Sequence, residues 1–170
     1  TITLNEPIVW STPTQKVTLI QSMIRNERLE WMLQKSVELG VDTIVLYRAD
    51  HGVVKDYGKR EDRKMARFQE IVKEAAEQSY RQFVPQVVGP IDKHAIKDYL
   101  SSVNVRLDIG DYQPLIGMNA KGDTTLWIGP EGGFSDHERQ FASEQGFEIA
   151  SLGPHVLRSE TASLMAVVQA

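Results

Sequence analysis

The chain has 170 residues, a net charge of −4 at pH 7, 41% apolar residues and no cysteine. That length suits one domain burying roughly 70% of its unfolded surface, and the missing cysteine excludes a disulfide framework, a cysteine zinc site and a thiol nucleophile. No apolar run approaches the ~20 residues that span a bilayer, no signal-peptide pattern opens the chain, and the acidic balance counts mildly against a dedicated nucleic-acid binder, so a soluble protein of the reducing cytoplasm is expected.

Residues 16–23 read as a first strand. Asn26 is placed to cap a helix to about Leu39, in which Leu29, Met32, Leu33 and Val37 keep a helical period and Gly40 is the stop. Thr43 to Tyr47 is β-branched enough for a short buried strand. Lys55, Lys59, Arg60, Arg63, Lys64 and Arg67 then crowd a segment that also holds Asp56, Glu61 and Asp62. This run is either a phosphate-binding patch or a solvated loop and helix face. Asp62 begins a helix to about Ser79 with Met65, Phe68, Ile71, Val72, Ala75 and Ala76 on one side. Val84 to Val88 is a strand that Pro85 confines to a sheet edge or a strand start. Asp92 is placed to cap a helix to about Ser101, and Val103 to Ile109 is a strand followed by a turn-rich stretch through Gly110, Pro114, Gly117 and Gly122.

The last third has the clearest punctuation. Thr124 to Ile128 is a strand, Gly129 to Phe134 a loop, and Ser135-Asp136-His137-Glu138 a capping box for a helix that ends near Gln145 with Gly146 as its stop. Phe147 to Leu152 is the last strand, Gly153 to Arg158 a loop, and Ser159 to Ala170 a final apolar helix. Strands alternating with helices imply an α/β domain with a mostly parallel sheet and helices on both faces.

Ligands of open α/β sheets bind outside the carboxyl ends of the strands, which selects the loops after Ile109, Ile128 and Leu152. Neither a dinucleotide-binding glycine fingerprint nor a P-loop occurs. Gly129-Pro130-Glu131-Gly132-Gly133 packs three glycines into five residues. Such a loop lets backbone approach a ligand and points its amides into a helix start; a tight strand-to-helix turn with no ligand is the competing reading. Leu152-Gly153-Pro154-His155-Val156-Leu157-Arg158 repeats the theme. Arg158 presents a fork suited to a carboxylate, phosphate or base edge, unless it pairs with Glu160. His155 reads as an exposed loop histidine, and Glu131 as either a ligand-orienting or a solvated carboxylate. His51, His94 and His137 lack metal-ligand spacing, so no metal is expected.

Ile128-Gly129-Pro130-Glu131-Gly132-Gly133-Phe134-Ser135, followed by Leu152-Gly153-Pro154-His155-Val156-Leu157-Arg158-Ser159-Glu160-Thr161-Ala162, resembles the ribosomal RNA small-subunit methyltransferase E family of the SPOUT superfamily. The helix running from Arg28 to Glu38-Leu39-Gly40-Val41 and the segment Glu74-Ala75-Ala76-Glu77-Gln78-Ser79, with Arg81 and Val84-Pro85, match the same family in order over residues 16–170. The resemblance implies a SPOUT-type C-terminal trefoil knot, an exception to the rule that chains do not thread their own loops. It further implies a homodimer, S-adenosyl-L-methionine as cofactor, and methylation of N3 of a uridine in 16S rRNA within the small ribosomal subunit.

Carried over by position, Ile128, Gly129, Pro130, Glu131, Gly132 and Gly133 line one side of the cofactor, and Leu152, Gly153, Val156, Leu157 and Arg158 the other. Thr161 and Ala162 open the final helix against it, and Ile109 and Gly110 are further contacts. Arg158 is the expected catalytic residue, stabilising charge on the base or holding a phosphate. His155 stands where the family usually has arginine, Tyr80 where it has glycine, and Asp50-His51-Gly52 replaces a glutamate-arginine-serine segment. The family's N-terminal PUA-like RNA-binding domain has no counterpart, so residues 1–170 are expected to form a single methyltransferase domain. A SPOUT ribose 2′-O-methyltransferase acting on rRNA or tRNA, and a cofactor- or RNA-binding module without turnover, are the alternatives.

Overall fold

Six parallel strands form one sheet in the order β3-β2-β1-β5-β4-β6 in the computed structural model, which describes residues 15–118 and 121–170. Residues 1–14, which the expected single domain includes, lie outside the described residues. The strands are β1 (Val17–Ser22), β2 (Thr43–Tyr47), β3 (Gln86–Ile91), β4 (Val103–Leu107), β5 (Thr124–Ile128) and β6 (Glu148–Ala150). The helices are α1 (Asn26–Glu38), α2 (Glu61–Gln78), α3 (Asp136–Glu144) and α4 (Ser159–Gln169). The alternation in sequence thus does yield an α/β domain with a parallel sheet.

The central strands are buried on both faces and therefore read as nearly unbroken apolar runs. Leu19, Ile44, Leu46, Leu126 and Ile128 point to one side, where α1, α2 and α4 pack. Ile20, Val45, Tyr47 and Trp127 point to the other, where α3 and a 3₁₀ segment over Lys93–Tyr99 pack. Every strongly periodic residue expected on α1 is buried, as are Phe68, Ile71, Val72, Ala75 and Ala76 on α2, with Met65 partly so.

Local signals were met where the chain had no competing partner for them. The capping box forms: Glu138 N donates to Ser135 Oγ at 3.1 Å and Ser135 N donates to Glu138 Oε2 at 2.8 Å. Asn26 is not the cap of α1; Arg25 occupies the N-cap position and gives no side-chain bond. Asp92 does not cap an α-helix either, and the segment after it is 3₁₀. Its carboxylate lies 3.7 Å from Arg48 instead. β3 starts two residues later than expected, just after Pro85, and lies at the edge of the sheet. β4 ends at Leu107 rather than Ile109, and β6 keeps only three residues.

The path after β6 sets up the site. Ser151 N donates to Gln113 O and Leu115 N to Ser151 O, each at 3.0 Å, so the segment following β4 is fastened across the end of β6. The chain then returns to the α1 side of the sheet, where α4 packs on α1, β1 and β5. No helix among the described residues is long and apolar enough to cross a membrane.

Candidate functional site

Adjacent strand ends β5, β4 and β6 deliver three loops to the carboxyl edge of the sheet, and two adjoining hollows open between them. The first, about 240 Å³, lies between Leu107, Asp108, Ile109 and Gly110 on one wall and Leu152, Gly153, Pro154 and His155 on the other. The second, about 290 Å³, lies between Gly129, Pro130, Glu131, Gly133 and Phe134 and the segment Val156, Leu157, Arg158 and Ser159. Ile128, Leu157 and Ala162 are common to both, so the hollows form one cleft with an aliphatic floor.

Thirteen of the fifteen residues expected around a ligand therefore converge: Ile109, Gly110, Ile128, Gly129, Pro130, Glu131, Gly133, Leu152, Gly153, Val156, Leu157, Arg158 and Ala162. Gly132 and Thr161 do not line the cleft. A Cβ on Gly132 would stand 3.0 Å from the Cβ of His51 and 3.2 Å from its carbonyl, so that glycine lets the loop close onto the β2–α2 connection. Thr161 faces a separate hollow beside Trp31 of α1. Gly153 has the opposite setting: its φ is +120° and no atom lies within 4 Å of an added Cβ, so it leaves open space at the cleft wall.

Large apolar side chains stand in solvent at this concavity, with Ile109 68% and Val156 74% exposed. Such groups at a cleft with a few polar neighbours mark a ligand site. Arg158 is exposed and its side chain has no hydrogen-bond or ion-pair partner among the described residues. The expected alternative, a pair with Glu160, is not made; Glu160 and Glu131 each lie 3.6 Å from Arg28. His155 is exposed on the cleft lining, as expected of a loop histidine.

Three supports hold the walls in place, and none was read from sequence. Asp108, at the end of β4, bonds the amide of Ile109 at 2.9 Å and takes ion pairs from Arg106 at 3.2 Å and from Arg139 of α3. Arg106 is buried and sits 5.2 Å above the Phe134 ring; burial lowers its pKa, although Asp108 opposes that shift. Asp50 accepts from Ser135 Oγ at 2.5 Å and from Lys93 at 3.2 Å, and these bonds, Ser135 first, hold its carboxyl below the usual range. This contact ties the β2–α2 connection to the glycine-rich loop.

The third support is a buried polar bridge beneath the cleft. Gln21 of β1, fully buried, donates to Ser159 Oγ at 2.9 Å, and Ser159 Oγ donates to Gly129 O at 2.8 Å. Ser163 donates to the Gln21 carbonyl oxygen. One glutamine therefore joins the first turn of α4 to the loop after β5. A polar residue inside an apolar strand was the available sequence signal, but its partners lie 138 and 142 positions away. Gln21→Leu is expected to destabilise the fold by about 1–3 kcal/mol through loss of the buried hydrogen bonds to Ser159 and Ser163. Urea unfolding measures this; an unchanged midpoint would show that the bridge carries no stability.

The family model described as RNA methyltransferase domain matches residues 11–170. The ribosomal RNA small subunit methyltransferase E of Bacillus subtilis (strain 168) is 33% identical over 166 residues, an alignment covering 89% of this chain and 64% of that protein. The same-named enzyme of Neisseria gonorrhoeae, solved bound to S-adenosyl methionine, is 38% identical with a TM-score of 0.81, covering 90% of this chain and 64% of that one. A Legionella pneumophila protein solved in complex with the bound cofactor SAM is 33% identical with a TM-score of 0.85, covering 91% of this chain and 64% of that one. The chain thus spans 64% of the length of each of these three relatives.

Proposed function

The chain belongs to the RNA methyltransferase domain family, and on that premise we propose that it uses S-adenosylmethionine to methylate N3 of a uridine in 16S rRNA of the small ribosomal subunit, in the cytoplasm. The observation that carries this reading is the cleft: an aliphatic floor, glycine-lined walls, exposed Ile109 and Val156, and an unpaired Arg158. These features suit a ligand with a flat apolar ring and a polar tail. When bound, S-adenosylmethionine supplies an electrophilic methyl group on a sulfonium.

Ile109, Ile128, Leu152, Leu157 and Ala162 bury the apolar part of that ligand and exclude water from it. Glu131, beside the second hollow, supplies the negative charge that favours a cationic ligand group. Arg158, whose guanidinium is not neutralised by a neighbour, stabilises the charge that develops on the uracil ring as its N3 proton passes to solvent water. Holding both reactants against one floor gives the close in-line approach that displacement requires.

Two finer features belong to the same proposal. The fastening of residues 112–115 across Ser151, followed by the return of α4 to α1 and β1, supports a trefoil knot formed by the C-terminal segment. A homodimer is supported by α4, where Met165 and Val168 are exposed on the same helix face as Thr161, and by exposed Trp31 on the adjoining α1.

The reading is tested by incubating the chain with S-adenosylmethionine and small ribosomal subunits lacking the modification, then analysing digested rRNA by mass spectrometry. A base-methylated uridine at N3 is expected. Methyl groups on ribose, or none at all, would refute the assignment.

A further inference from the structure

The basic run noted in the sequence does not act as one patch. Lys55 donates to the carbonyls of Ala49 and Asp50, at 2.9 and 2.5 Å. Arg67 pairs with Glu30 at 3.7 Å. Arg60 and Lys64, in contrast, line a groove of about 600 Å³ together with Arg25, Arg28, Tyr57 and Asn26. The side chains of Arg25, Arg60 and Lys64 have no hydrogen-bond or ion-pair partner among the described residues. The carboxylates on the groove are Glu27 and Asp56, and Asp56 is occupied by the amide of Gly58 at 2.8 Å. With Arg28 set aside because it pairs with Glu131 and Glu160, three cations against two carboxylates give this groove a positive sign on a chain whose net charge is −4.

Two further observations define what the groove faces. Tyr57 is 9% exposed and its buried hydroxyl has no hydrogen-bond partner among the described residues. Burial, with Glu61 and Glu30 nearby, pushes its pKa up to about 12, so it remains a proton donor at neutral pH. Arg28 connects the groove to the cleft, because its guanidinium lies 3.6 Å from Glu131 on the glycine-rich loop while its side chain also lines the groove.

We infer that this groove seats backbone phosphates of the RNA strand next to the target nucleotide, with Arg25, Arg60 and Lys64 as the phosphate contacts. The inference rests on the RNA-methylation reading of the cleft and adds a substrate-positioning surface outside it. Phosphate contacts of this kind fix register without reading sequence. They also make affinity depend on salt, with a slope of about 0.7 per neutralised phosphate for single strands.

The test compares the wild-type chain with the triple variant Arg25→Glu, Arg60→Glu, Lys64→Glu. Binding of a single-stranded RNA oligonucleotide containing the uridine is followed by fluorescence anisotropy over a range of salt. The slope of log affinity against log salt is expected to fall by about 2, while S-adenosylmethionine affinity, read by calorimetry, stays within about twofold of wild type, the groove being separate from the cleft. A conservative variant, Arg25→Lys with Arg60→Lys, is expected to keep the wild-type slope, which separates charge from folding. An unchanged slope in the triple variant overturns the inference, whether or not the chain binds the cofactor. A slope lost in the triple variant but kept in the conservative one, with no S-adenosylmethionine binding by the wild-type chain, would uphold the groove and overturn the methyl-transfer reading of the cleft.

Discussion

Arg158→Ala is expected to slow methyl transfer to RNA by about a hundred- to a thousandfold, the usual cost of removing one well-placed electrostatic stabiliser. The residue sits at the N-cap position of α4, where its carbonyl accepts from Ala162 N at 2.8 Å. Alanine keeps that backbone bond. No carboxylate among the described residues is left without a partner by the change, because Glu160 pairs with Arg28. The fold and the aliphatic floor of the cleft are therefore expected to survive, and S-adenosylmethionine affinity to change by less than about tenfold, or roughly 1.4 kcal/mol. Arg158→Lys should recover part of the rate, since the charge returns without the planar fork. Single-turnover kinetics on small ribosomal subunits reads this directly. A rate near wild type in Arg158→Ala would show that the guanidinium has no catalytic part.

Trp127→Ala is expected to cost about 3–5 kcal/mol, the range for removing a large aromatic side chain from a core. Trp127 is fully buried in β5, which lies between β1 and β4. Its indole meets Tyr47, Phe134 and Phe141 edge-on, with centroids 5.6, 5.3 and 6.2 Å apart, and Phe147 at 5.2 Å. A domain of this size has about 5–15 kcal/mol of stability in total, so the variant should be marginal at 37 °C. The effect reaches the cleft through Phe134, whose ring would stand 3.1 Å from a Cβ on Gly129 and so backs the glycine-rich loop. Urea denaturation followed by far-UV circular dichroism measures the loss, and a midpoint within error of wild type would contradict this description of the core.

β2 and β5 were legible in the sequence to the residue because both faces of each are covered, which leaves little choice but an apolar run between turn signals. Gly40 and Gly146, with φ of +108° and +77°, end α1 and α3 where their positions indicated. Caps were less legible because they depend on competing partners. The Asp92 carboxylate faces Arg48, 44 positions earlier in sequence, and no local pattern carries that fact. The two glycine-proline loops were identifiable by composition and by their place after strands. What holds them was not: Asp108 depends on Arg139, Gln21 on Ser159, and Gly132 on the close approach of His51, all of them products of the sheet order. The basic run was only partly legible for the same reason, since Lys55 and Arg67 are engaged by Ala49, Asp50 and Glu30 while Arg25, outside it in sequence, joins Arg60 and Lys64 at the groove.

Isothermal titration of S-adenosylmethionine into the wild-type chain and into Gly153→Val tests the cleft most directly. Gly153 holds a φ of +120° beside open space, so valine both strains the loop and fills the wall, at about 1–3 kcal/mol for the backbone alone. Cofactor binding in the cleft predicts one site per wild-type chain and at least about tenfold weaker binding in the variant, equivalent to roughly 1.4 kcal/mol. Absence of binding by the wild type, or equal affinity in the two, would contradict it.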